Sequence, residues 1–233
     1  MFSKKGFTLI PVIVITVILV GGFFVFAAPK YQGPASPNSS STSCPNPLVI
    51  QTPVDLEKAT SILYPGQVRG GDFKRHGGFR FDDSKNDEIE VRAPIDSSLV
   101  AASRYIEQGE VQYLFDFETS CGIKYRFDHL LKLSQKFKEA VDKLPQAKEN
   151  DSRTTNINPQ ITVQTDEIIA TAVGVQKDQN VFVDFGVYKE TIFGPPNANA
   201  VCWFDLLPAD DTQKIKGLPA SDSQSGKTSE YCK

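Results

Sequence analysis

The sequence predicts a mainly β protein. Its expected architecture is a compact antiparallel sandwich or barrel-like body with one inserted helix, preceded by a single transmembrane helix. Three observations predict this. An unbroken apolar run lies near the N-terminus of the 233-residue chain, most later segments are short and β-rich, and one stretch near residue 140 repeats its apolar residues at helical spacing.

Lys4 and Lys5 precede an uncharged stretch from Phe7 to Ala28, 22 residues long. At helical rise that length matches the ~30 Å hydrocarbon core of a bilayer. Val25-Phe26-Ala27 offers a small-residue cleavage pattern, but the run exceeds the ~7–15 residues of a signal-peptide core, so an uncleaved anchor is expected. Pro11 falls in the first turns, where its missing N–H costs least. The two lysines place residues 1–6 in the cytoplasm and the bulk of the chain outside, with 7–28 as the anchor. Residues 29–50, rich in Pro and Ser, cannot bury enough surface to order themselves and read as a flexible linker. A β domain over 51–192 and a C-terminal tail over 193–233 complete the expected organisation.

Composition narrows the function. The chain carries 25 Lys+Arg against 28 Asp+Glu, a net charge of −3, which argues against a nucleic-acid partner recognised by a broad cationic surface. With two His, no site of three imidazoles can be built within one chain. Apolar residues make up 40% before the 16 Gly are counted, enough for a packed core. Four Cys suit an oxidising compartment and allow three pairings. Cys202 with Cys232 would pin the tail, and Cys44 with Cys121 would tie the linker to the domain. No Cys-x-x-Cys occurs, so zinc-ribbon and thioredoxin readings have no support.

Strands are expected at 88–93, 98–102, 111–117, 122–127, 161–163 and 181–187, from period-two alternation or β-rich runs. Turn compositions at Pro94-Ile95-Asp96, Glu107-Gln108-Gly109 and Thr119-Ser120-Cys121-Gly122 separate several of them. Helices are expected over 54–63 and over 134–144, the second with Phe137, Val141 and Leu144 on one face and Pro145 ending it. Arg69-Gly70-Gly71-Asp72-Phe73-Lys74-Arg75 reads as a glycine-rich loop rather than an RNA contact. Residues 145–160 read as a long polar loop. Trp203, the one Trp, is expected to anchor the tail by packing back on the domain.

Five segments in order resemble the lysostaphin/LytM-type zinc endopeptidases. They are His76-Gly77-Gly78-Phe79-Arg80, the run from Val91-Arg92-Ala93-Pro94 to Val100, Tyr125-Arg126-Phe127-Asp128-His129-Leu130, the run from Val163 to Gly174, and Phe182-Val183-Asp184-Phe185-Gly186-Val187. The family patterns are His-x-Gly-x-Asp, Val-x-Ala-Pro-x-Asp-Gly-x-Val, Tyr-x-His-Leu-Ser, Val-x-x-Gly-x-x-Ile-Gly-x-x-Gly and His-Leu-His-Phe-Glu-Val. The resemblance covers about residues 60–190 and implies the β fold called the duplicated hybrid motif. A second, shorter likeness joins Lys5-Gly6-Phe7-Thr8-Leu9-Ile10 to type IV pilin leaders, although Pro11 stands where pilins carry Glu. That likeness implies a pilin-like assembly subunit as an alternative.

Carried over position by position, the peptidase resemblance implies a binding groove of His76, Arg80, His129, Phe182 and Asp184. His76 falls at the first zinc ligand and His129 at the Tyr-x-His histidine. Arg80 replaces the Asp ligand, Asp184 the second His ligand, and Phe182 the other catalytic His. A guanidinium stays protonated and has no lone pair for a metal, and a catalytic zinc needs three protein ligands plus an open position. Phe182 cannot relay a proton. The expectation is therefore a catalytically inactive, membrane-anchored domain without a cofactor, binding or scaffolding at the cell wall through peptidoglycan or a cell-wall hydrolase. An active zinc metalloendopeptidase cutting peptidoglycan cross-links is the alternative. An Arg80–Asp184 ion pair is expected in place of the metal, and a rescue site from His76, His129, Asp184 and Asp82 is the lesser possibility.

Overall fold

The structure, a computed structural model, describes residues 44–189 and 199–233. The segments expected as cytoplasmic (1–6) and transmembrane (7–28), and most of the linker, lie outside the described residues. Among the described residues, no helix is long and apolar enough to cross a membrane.

The strands are β1 Ser61–Leu63, β2 Gln67–Arg69, β3 Asp72–Lys74, β4 Gly77–Arg80, β5 Val91–Arg92, β6 Ser97–Glu107, β7 Glu110–Glu118, β8 Ile123–Leu133, β9 Thr155–Val163, β10 Ile168–Val173 and β11 Phe182–Lys189. Among the described residues there are two helices, α1 Gln135–Val141 and α2 Ala209–Gly217. Nine strands form one antiparallel sheet in the order β1-β4-β11-β8-β7-β6-β9, with β10 joined to β8 and β5 to β10. Strands β2 and β3 form a separate hairpin. The mainly β antiparallel reading therefore holds, with α1 as the inserted helix and α2 as a second one near the C-terminus.

Local chemistry explains the central meander. Gln108 and Gly109 both take positive φ (52° and 81°), as the two-residue turn joining β6 to β7 requires. At the next turn Gly122 adopts φ 86° and Thr119 closes the loop by hydrogen bonds to Ile123. Phe115, Phe117, Tyr125 and Phe127 alternate inward on β7 and β8 and are fully buried, with Phe137 of α1 packed on Phe115 at 5.5 Å. Phe117 and Tyr125 stack at 4.8 Å between ring centroids.

Several expected elements differ. The helix over 54–63 is a single 3-10 turn, Leu56–Lys58, capped by Asp55, and its last residues form β1, where Ile62 is buried against the β4 register. Only Val91–Arg92 of the 88–93 strand pairs, because Asn86–Glu88 coils into a 3-10 turn closed by Glu88 on the Lys85 N–H. The polar loop over 145–160 ends at Thr155, where β9 begins as the outermost strand next to β6. Its mostly exposed face hid the alternation that marks a half-buried strand. The glycine-rich loop expected over 69–75 is the turn and second strand of the β2–β3 hairpin, with Gly70 and Gly71 both at positive φ.

The C-terminal residues belong to the same core. Trp203 is fully buried, with ring centroids 5.0 Å from Phe79, 5.1 Å from Phe185 and 4.4 Å from Phe204. Ile215 of α2 is buried with it. The two disulfides are Cys44–Cys121 and Cys202–Cys232, the two pairings that tie the linker and the C-terminal segment to the body. Replacing Trp203 by Ala should destabilise the domain by about 3–5 kcal/mol, the range for removing a large buried aromatic side chain. Urea unfolding followed by far-UV circular dichroism measures it, and a loss under about 1 kcal/mol would show that residues 199–233 are not part of the core.

Candidate functional site

Strands β4 and β11 pair so that Gly78 faces Asp184 and Arg80 faces Phe182. Side chains two apart on one strand share a face, so His76, Gly78 and Arg80 lie beside Phe182, Asp184 and Gly186. Asp184 has a choice of two diagonal neighbours, His76 and Arg80. It takes His76, whose Nε2 lies 2.9 Å from its Oδ2. The space between them is kept open by glycine. A Cβ at Gly78 would come within 2.7 Å of the Val183 carbonyl and 2.8 Å of Asp184 Oδ1, and one at Gly186 within 3.0 Å of His76 Cβ.

The expected Arg80–Asp184 ion pair is therefore not formed. Arg80 turns to the other side, where its Nη2 donates to Asn180 Oδ1 at 2.7 Å and to Asp82 Oδ1 at 3.3 Å. Its guanidinium carbon lies 5.8 Å over the Phe182 ring, a cation–π position. Asp82 is likewise not joined to the two histidines. It follows the end of β4, where its Oδ2 accepts from Thr60 Oγ1 at 2.8 Å.

His129 reaches the site through an irregular backbone. The first half of β8 pairs with β11 through Asp128, and the second half pairs with β10 from Leu130 onward. Across β8, Tyr113 pairs with Leu130 and Phe115 with Phe127, so β8 holds one extra residue there, a β-bulge. His129 occupies the bulge with φ 62°, a conformation costly for a residue with a Cβ. Its N–H is held by Asp128 Oδ1 at 2.8 Å and its carbonyl by the Gly174 N–H at 2.8 Å. The bulge brings the ring to the Asp184 face, with Nε2 3.8 Å from Asp184 Oδ2 and the ring centroid 4.4 Å from that of Phe182. His76, His129, Phe182 and Asp184 thus meet in one place, with Arg80 at the margin.

Four further residues shape this place. Asp128 faces Asp184 directly across the β8–β11 ladder, and like charges so placed repel. Tyr105 Oη donates to Asp128 Oδ1 at 2.6 Å and relieves it. Glu107 Oε2 lies 3.5 Å from His129 Nδ1 without hydrogen-bond geometry. Arg69 donates from Nη2 to the His76 carbonyl at 3.0 Å, fixing the residue from behind. Asp128 adjoins a motif residue and was within reach of sequence reasoning. Tyr105, Glu107 and Arg69 arrive through long-range pairing and left no local signal.

The charges settle together. Burial pushes the Asp184 carboxyl up, but His76, His129 and Arg69 outweigh it and hold it at about 2. Burial pushes His129 down, and Asp128, Asp184 and Glu107 outweigh that, raising it above the ordinary histidine value. Burial is also the leading influence on Tyr105, whose phenol is driven far upward and stays protonated as the donor to Asp128.

The donor set does not fit a catalytic zinc. Arg80 has no lone pair, Phe182 no donor atom, and His76 Nε2 already meets the Asp184 carboxylate. Among the described residues no three His, Cys, Asp or Glu side chains are arranged to hold a metal ion. The arrangement offers an ionised carboxylate between two imidazoles, an aromatic wall and an arginine at the margin. Such a surface can bind a polar chain by hydrogen bonds and stacking.

No family model matches the sequence, and no curated protein matches it. Among solved structures, the chain is similar to Csd3 from Helicobacter pylori, at 10% sequence identity and a TM-score of 0.36. The match covers 73% of this chain and 40% of that one, so this chain spans less than half of that protein's length.

Two outcomes are expected. In a double-mutant cycle by urea unfolding, His76 and Asp184 should couple by about 0.5–3 kcal/mol, and Arg80 and Asp184 by less than about 0.5 kcal/mol. In a proton NMR titration, His129 should titrate above the ordinary ~6.5, and Asp184→Asn should move its midpoint downward. Because its folded value is raised, the His129 contribution is complete below ~6.5 and is lost as pH rises through the folded value. The Asp184 contribution has the opposite sense: it is present above ~3.9 and is lost as pH falls toward the folded value. A His129 midpoint at or below 6.5 would contradict the charge arrangement.

Proposed function

We propose that this chain is a non-catalytic, LytM-peptidase-like domain that binds or scaffolds at the cell wall, held outside the cytoplasm by its N-terminal apolar segment. The observation that carries this reading is the closure of Asp184 on His76, with Arg80 turned away to Asn180 and Asp82. Where the endopeptidases place a metal, this chain places a direct hydrogen-bonded pair. The position-by-position resemblance supports the inherited groove, since its histidines, Phe182 and Asp184 converge although they lie far apart in sequence. Two disulfides suit an oxidising compartment. The 22-residue uncharged run after Lys4 and Lys5 supports the anchor.

The ligand of such a groove is a peptide strand of the wall polymer, or a hydrolase that works on it. Phe182 and Arg80 would contact it, one by stacking and the other by its charged, partly exposed guanidinium. The active metalloendopeptidase is the competing reading. It draws on the approach of two imidazole Nε2 atoms to one Asp184 oxygen, at 2.9 and 3.8 Å.

Metal analysis and sedimentation with purified peptidoglycan decide between them. After incubation with excess zinc and desalting, the purified chain should retain well under one zinc per molecule. It should leave cross-linked wall peptides uncut and co-sediment with the polymer. Phe182→Ala and Arg80→Ala should each weaken that sedimentation about tenfold, a loss of ~1.4 kcal/mol. Stoichiometric zinc with peptide cleavage would establish the enzyme and overturn the scaffold.

A further inference from the structure

Residues 222–232 run as a strap along the β2–β3 hairpin. Ser225 Oγ donates to the Val68 carbonyl at 2.9 Å, Gln67 Nε2 to the Gly226 carbonyl at 2.8 Å, and the Glu230 N–H to the Gly66 carbonyl at 3.0 Å. Ser229 Oγ donates to the Pro65 carbonyl. The Tyr231 ring covers Gly66, where a Cβ would approach it to 2.8 Å, and meets the Phe73 ring edge-on at 6.1 Å. No strap residue is fully buried. Its one covalent tie is Cys232 to Cys202, and Cys202 sits next to the buried Trp203.

The hairpin in turn touches the site. Arg69 donates from Nη1 to the Tyr64 carbonyl at 2.7 Å and from Nη2 to the His76 carbonyl at 3.0 Å. One chain of contacts therefore leads from the Cys202–Cys232 bond through the strap and Arg69 to His76 and Asp184. Its weakest stretch is the strap, because its hydrogen bonds are exposed or only part-buried and water competes for the same groups. Opening the bond would also restore the freedom of a loop spanning 30 residues. The other bridge, Cys44–Cys121, ends at the β7–β8 turn and belongs to no part of this chain of contacts.

We infer that the Cys202–Cys232 disulfide is a redox latch on one side of the groove. When a dithiol reductant opens it, the strap releases the β2–β3 hairpin, and Arg69 loosens its hold on His76. The exchange is balanced within the named reactants. A thiolate of the reductant attacks the more accessible Cys232 sulfur and forms a mixed disulfide, and Cys202 leaves as a thiolate that takes up a proton. The reductant's second thiol then displaces Cys232 and gives up its own proton. The protein gains two thiols and the reductant becomes a disulfide. The inference concerns the side of the groove and does not depend on what the groove binds.

Hydrogen exchange read by mass spectrometry on the full chain, oxidised and in dithiothreitol, tests it. On reduction, exchange in residues 65–76 should rise about tenfold or more, while residues 97–118 stay protected, and reoxidation should restore the slow pattern. The His76 ring signals should shift in parallel. The C202S/C232S double variant should exchange fast at 65–76 without reductant, and C44S/C121S should respond to dithiothreitol as the parent chain does. Tyr231→Ala, which keeps both bridges, should give an intermediate rise. Unchanged exchange at 65–76 on reduction would overturn the latch. So would a simultaneous loss of protection at 97–118, which would make the bond a staple of the whole domain.

Discussion

A carboxylate set into the face of a β-sheet has to be matched by donors, because burial penalises its charge far more than its neutral form. Asp184 is such a group, and the surrounding structure is arranged around meeting its demand. His76 comes from the residue before β4, His129 from a bulge in β8, and Arg69 from a hairpin outside the sheet. Three separate parts of the chain therefore converge on one oxygen-bearing group. A zinc ion would draw such parts together by coordination; here two imidazoles and a distant guanidinium face the carboxylate instead.

The geometry that allows this is made by the backbone. An unbroken β8 would point His129 to the opposite face from Asp128, and the extra residue at position 129 turns it back. The bulge sits where β8 exchanges one neighbour, β11, for another, β10. A change of pairing partner and an aimed side chain thus come from the same irregularity. Gly78 and Gly186 do the complementary work of leaving room, since a Cβ at Gly78 would collide with the Val183 carbonyl and Asp184, and one at Gly186 with the Tyr188 hydroxyl and crowd His76.

Much of this was legible in the residues, and the rest was not for physical reasons. The strands at 98–102, 111–117, 122–127 and 181–187 carry their own period, and each matches, to within one residue at its start, part of the longer β6, β7, β8 and β11. The helix ending before Pro145 was marked by Phe137 and Val141 on one face. In β9 the outward face is mostly exposed, so hydrophobic alternation has nothing to report. Residues 54–63 have helical composition, but pairing of Ile62 with Phe79 in the ladder prevails over local propensity. At the site, His76, His129, Phe182 and Asp184 meet, and the partner of Asp184 is His76 rather than Arg80. Sequence could place Arg80 and His76 on the same face as Asp184, and the choice of diagonal depends on which neighbour finds a better partner elsewhere. Arg80 does, in Asn180, a residue whose place is set by the turn between β10 and β11.

The burial of Trp203 between Phe79 and Phe185 also bears on the order of assembly. Strands β4 and β11 can pair as soon as both have been synthesised, but the hydrophobic slot behind them stays wet until a segment more than a dozen residues further on arrives to fill it. Ile62 makes the same demand, since its N–H and carbonyl are satisfied by Pro219 and Ser221. Contacts of such sequence separation pay their loop entropy before they are rewarded, which slows folding. Maturation of this domain is accordingly governed by late arrivals: a nascent chain halted short of residue 203 would expose an aromatic cleft, the kind of surface that chaperones hold and proteases find.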